Sequence, residues 1–149
     1  MKSMFNQSDV NELLQRIDTI RPDSKPEWGR MNAAQMLAHS VTPLKVAVGD
    51  LKLERSLVGR LFGKMAKKKL TGGKPFGRNL PTDKHFVFTD QRNFDEEKSA
   101  LVSLIRRFAE SGPDGITKEP HPFFGDMTPR EWDALTWNHL DHHLRQFGA

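Results

Sequence analysis

The amino-acid sequence predicts an all-α protein: a four-helix bundle with a fifth, basic helix inserted between the second and third bundle helices. Three observations lead there. Five stretches repeat apolar residues at helical spacing. Three of them open on Asn or Thr with Gln or Glu three residues on, the capping-box signature. Four carry a single apolar stripe, and the simplest way to bury four stripes is against one another. At 149 residues the chain is expected to form one domain with a sizeable core.

The first helix is expected over residues 8–19, where Val10, Leu13, Leu14 and Ile17 share a face. Ser8 is its expected N-cap, and Pro22-Asp23 stop it. After the link around Pro26 and Trp28, Asn32 and Gln35 open the second helix, with Ala33, Leu37, Val41, Leu44 and Val48 as its stripe. Pro43 lies inside it, removes the backbone bond to the His39 carbonyl, and is expected to kink the chain there.

A third helix is expected over 55–70, where Leu57, Leu61, Phe62 and Met65 mix with a basic run until Thr71-Gly72-Gly73-Lys74-Pro75 ends it. The stretch up to Arg92 reads as loop, with a short extended piece at Phe86-Val87-Phe88. Asn93 and Glu96 open the fourth helix, carrying Leu101, Leu104, Ile105 and Phe108 until Gly112-Pro113-Asp114-Gly115. The apolar loop His121-Pro122-Phe123-Phe124-Gly125 is expected to pack onto the bundle. Thr128, Pro129 and Glu131 then launch the last helix, which runs nearly to the C-terminus.

Composition narrows the function classes. Hydrophobic residues are 36% and charged residues 28%, ordinary for a soluble chain, and there is no cysteine for a disulfide, thiolate ligand or nucleophile. The stretch from Met1 to Asn6 lacks an apolar leader core, and nothing approaches the roughly 20 apolar residues of a membrane span, so a cytoplasmic protein is expected. The net charge of +4 is uneven. Residues 45–78 hold ten Lys/Arg against Asp50 and Glu54, or +8; the other thirteen basic and seventeen acidic residues leave −4. No nucleic-acid motif accompanies the basic segment. Trp137, read as exposed, leaves room for a homodimer.

The last helix carries the chemistry. At about 100° per residue, Trp132, Leu135, Thr136, His139, Leu140, His143, Gln146 and Phe147 fall on one face. Three polar side chains on its centre line need a reason, because burying each without a partner costs about 1–3 kcal/mol. Histidines at i and i+4 have Cβ atoms about 5–6 Å apart and can converge on one ion. Imidazole nitrogens suit zinc, and nickel or copper as well. The third ligand must come from another helix, and His39, at the edge of the second helix's stripe, is the candidate. His142 lies towards the helix edge and reads as rim or supporting residue, as does Gln146. His121 could close over the site from its loop. The plainer alternative is a set of core histidines hydrogen-bonded to backbone or to Gln146.

The segment 31–39, ending in Ala38-His39, and the run His139-Leu140-Asp141-His142-His143-Leu144-Arg145-Gln146-Phe147 resemble the DinB/YfiT-like superfamily of four-helix-bundle metalloproteins. With His121-Pro122-Phe123-Phe124-Gly125 upstream, the closing segment resembles a branch known only as a domain of unknown function. The resemblance implies a metal held by His39, His139 and His143, and an activity of the superfamily's kinds: thiol-dependent S-transfer or amidohydrolase-type hydrolysis of a small molecule. The basic insertion departs from the superfamily's pattern. The competing expectation is a non-catalytic binding or stress-response protein, with a structural metal and a basic helix that contacts an anionic partner, nucleic acid or membrane surface.

Overall fold

The computed structural model describes residues 2–80 and 82–149. Met1, the first residue of the stretch read for a leader, and Pro81, in the loop before Arg92, lie outside the described residues. Among the described residues there are five α-helices and no strand: α1 (Gln7–Thr19), α2 (Ala33–Ala47), α3 (Leu57–Leu70), α4 (Phe94–Ser111) and α5 (Pro129–Gln146). The stretch Phe86-Val87-Phe88, expected to be extended, instead begins in a 3-10 turn, Lys84–Phe86, nucleated where Asp83 accepts from the His85 backbone N–H.

Local sequence accounts for the helix starts. The Asn32 side chain accepts from Gln35 N at 2.9 Å while the Gln35 side chain accepts from Asn32 N at 3.0 Å, a reciprocal capping box. Thr128 and Glu131 close the same box on α5. The α1 cap is Asn6, not Ser8: the Asn6 side chain accepts from Asp9 N at 3.1 Å, and Ser8 lies inside the helix. Proline does not end α2, which runs through Pro43. The His39 carbonyl thereby loses its usual i+4 donor.

The core lies between α1, α2, α4 and α5. Helix α2 packs on α4 and α5, and α1 packs on the same two. Leu13, Ile17, Leu37, Ile105, Phe108 and Trp132 are among the residues buried there, each worth about 1.5–3 kcal/mol of transfer free energy. Every residue of α2 from Met36 to Thr42 is buried, so His39 is enclosed and not at an open edge. Trp137 is also buried, against the expectation of an exposed residue, because α5 is covered on nearly every side from Trp132 to Asn138.

Helix α3 stands apart, and among the described residues α5 is the only helix it meets. It rests instead on the loop 121–125. A Cβ at Gly59 would lie 2.5 Å from the Phe123 carbonyl oxygen, and one at Gly63 only 2.1 Å, so only glycine allows this approach. The large apolar residues of α3, Leu57, Leu61, Phe62 and Met65, point the other way, into solvent.

Candidate metal centre

Helices α2 and α5 bring His39, His139 and His143 together. One nitrogen from each lies within 4.8 Å of the other two, close enough to hold a metal ion. The His39 and His139 Nε2 atoms are 2.9 Å apart. Two nitrogens each about 2.0–2.1 Å from a shared ion stand about 2.9–3.4 Å apart at angles of about 90–109°, so this spacing fits coordination. His39 and His143 are buried, whereas His139 keeps part of its surface open.

Hydrogen bonds fix which nitrogens are free. His39 Nδ1 lies 2.7 Å from the Phe86 carbonyl oxygen, which can only accept, so Nδ1 carries the proton and Nε2 presents a lone pair. Gln146 Nε2 donates to the Trp28 carbonyl at 2.6 Å, which turns Gln146 Oε1 towards His143. His143 Nδ1 therefore donates to that oxygen at 2.8 Å, and its Nε2 is likewise free. These are the partners that orient metal-binding imidazoles. Gly29, with φ of +85°, lets the chain pass Gln146: a Cβ there would lie 2.5 Å from Gln146 Nε2.

Electrostatics favour the ligating form. Burial holds all three rings neutral, pushing His143 down to about 3 and His139 well below the ordinary histidine value. Mutual repulsion adds to this, His143 acting most on His139 and His39 most on His143. His39 is also lowered by burial, although its bond to Phe86 opposes the shift. Three neutral imidazoles within 4.8 Å of one another, two of them with a free Nε2 lone pair, suit a cation, and none competes by protonation at neutral pH.

Of the remaining histidines, only His142 is packed against the trio. His142 is buried, with ring centroids of His143 at 5.0 Å and Trp28 at 5.6 Å. Phe76 flanks it at 6.0 Å, and the Arg78 guanidinium stacks on Trp28 at 4.2 Å. His121 has different neighbours: its Nδ1 accepts from Phe123 N and Phe124 N, and its ring packs on Phe124 and Trp132. His85 is exposed and bonded to Asp83. Sequence reasoning missed Phe86, Trp28 and Gly29. Phe86 and Trp28 act on the trio through backbone carbonyls, which have no residue-type signature, and Gly29 had only its glycine identity as a signal.

Fold and site together define an all-helical protein with a three-histidine centre able to hold a metal. Residues 2–149 match the family described as Protein of unknown function (DUF1569), and the chain belongs to that family. No curated protein and no solved structure matches it.

Proposed function

We propose that this protein is a metal-dependent transferase or hydrolase of a small molecule, with His39, His139 and His143 as ligands. The carrying observation is that two of the three rings have their Nδ1 protons taken by Phe86 and Gln146, leaving Nε2 lone pairs that converge beside His139. An all-nitrogen donor set suits zinc, with nickel the alternative. No carboxylate belongs to the trio, and three protein ligands leave a fourth position for water or substrate. His139 is half-buried where its two partners are buried, so it is the member of the trio nearest to solvent.

When bound, such an ion supplies Lewis-acid polarisation and lowers the pKa of a coordinated water or thiol. The chain's own part is to bind and orient. Gln146 and the Phe86 carbonyl hold two rings in register, while Trp28, Phe76 and His142 form an aromatic wall that limits water. A thiol is the favoured co-substrate because three neutral ligands leave the full cation charge to attract a thiolate.

The same reading takes α1, α2, α4 and α5 as a DinB-like bundle in one domain, with α3 as an insertion. The position of α3 outside the shared core supports it. A cytoplasmic location is proposed with it.

Metal analysis of purified wild type against His143→Ala tests the centre; near-stoichiometric metal in the first alone is expected, and equal contents would overturn it. Cobalt-substituted protein titrated with glutathione tests the thiol. A new sulfur-to-cobalt charge-transfer band is expected, and an unchanged spectrum would remove thiol transfer from the reading.

A further inference from the structure

We propose that α3 is a lipid-docking helix whose outward face seats on an anionic membrane surface. At about 100° per residue, Gly59, Gly63, Ala66 and Leu70 share one arc, and the two glycines in it meet the Phe123 backbone. Leu57, Leu61 and Met65 lie on the far side, with Val58 and Phe62 on its flank, and all five are between 53% and 78% exposed. The usual amphipathic order is inverted: small residues face the protein and large ones face outward. Five large apolar side chains on one exposed arc mark an interaction surface and not scattered surface residues.

Charge identifies the occupant. From residue 55 to 78 there are eight Lys/Arg and no Asp or Glu. Lys67 is committed to the protein, 3.0 Å from Glu131 and 2.8 Å from the Asp126 carbonyl. Among the described residues, Arg60, Lys64, Lys68 and Lys69 form no ion pair. A second copy of the chain would bring two such positive segments face to face. Lys68 and Lys69 fall within the apolar arc itself, where a protein groove would strip their ammonium groups of water. At a lipid surface their stems lie along the acyl boundary and the charges reach the phosphates.

The helix is presented preformed. Ser56 N donates to the Pro122 carbonyl at 3.0 Å at one end, and Asn138 Nδ2 donates to the Leu70 carbonyl at 3.1 Å at the other. Docking would then need little further ordering. No helix among the described residues is long and apolar enough to cross a membrane, so α3 would lie in the interface plane.

Co-sedimentation of the full chain with phosphatidylglycerol-containing vesicles, against phosphatidylcholine alone, tests the proposal. Binding to the anionic vesicles only, weakened by salt, is expected. Replacing Lys64, Lys68 and Lys69 with Gln should weaken it about a hundredfold. Leu61→Ser with Phe62→Ser should weaken it about tenfold or more, with the circular dichroism unchanged. Equal binding to neutral vesicles, no binding to either, or full retention by the Leu61/Phe62 variant would each overturn it. So would self-association in sedimentation velocity that Phe62→Ser abolishes. None of these readouts depends on the histidine centre.

Discussion

Gln146 sits one turn beyond His143 on α5, accepts its Nδ1 proton at 2.8 Å, and is itself held by a 2.6 Å bond to the Trp28 carbonyl. One side chain thus ties the C-terminal helix to the link before α2 and sets a histidine tautomer. Gln146→Ala is expected to lower metal affinity about 10–100-fold, and Gln146→Glu, which keeps the acceptor but loses the donor to the Trp28 carbonyl, to recover only part of it. Competition with a chromophoric chelator measures both. Unchanged affinity in the alanine variant would remove Gln146 from the centre.

Metal should also register as stability. A ligand at about a hundred times its dissociation constant stabilises the native state by about 2.7 kcal/mol. Zinc added to chelator-treated protein is therefore expected to raise the melting temperature, and His39→Ala or His143→Ala should not respond. Calorimetry decides it. An equal response in wild type and variants would place the ion elsewhere.

Gly63→Ala puts a methyl group 2.1 Å from the Phe123 carbonyl oxygen, a clash with backbone that cannot swing aside. A cost of about 1–3 kcal/mol is expected, localised to the seating of α3. Limited trypsin digestion at Lys67, Lys68 and Lys69 should accelerate while the main thermal transition moves little. Unaltered cleavage would mean that α3 is held by other contacts.

Burial lowers His121 to about 3, with Asp83 opposing the shift, while the unfolded chain titrates near the ordinary value. Above about pH 6.5 both states are neutral and the residue is silent. Between there and about 3 only the unfolded state gains the proton, so stability falls as pH falls, by about 1.4 kcal/mol per unit. His121→Asn keeps an acceptor for the Phe123 and Phe124 N–H groups. It should be less stable at neutral pH but lose less on acidification. Urea unfolding at pH 7, 5 and 4 compares the slopes, and parallel slopes would refute a buried neutral ring.

The legible parts of this fold are those written in local residue types. Asn32 with Gln35 and Thr128 with Glu131 announce their helix starts because both halves of each box lie within one turn. The start of α1 was misplaced because Asn6 and Ser8 are both good caps, and only the direction of the Asp9 N–H chooses between them. The i,i+4 spacing marks His139 and His143 as a pair, and His39, named as the third candidate chiefly on resemblance, lies beside them. Trp137 was misjudged because a helical wheel assumes one buried face, whereas α5 has neighbours nearly all round. For α3 the sequence showed apolar positions among the basic run but not which side they face. Gly59 and Gly63 held that information, since a stripe without side chains can accept a backbone only from its own side.

That glycine seat also sets how the helix can drift over evolutionary time. Any side chain at 59 or 63 would meet the Phe123 carbonyl, so these positions admit almost no variation while α3 keeps its place. Leu57, Leu61, Phe62 and Met65 are between 53% and 78% exposed, so folding selects only weakly against polar replacements there. Relatives that retain bulky apolar residues at those positions beside invariant glycines would carry the imprint of an external surface. Relatives that scatter polar residues across them would show a lineage that has left it.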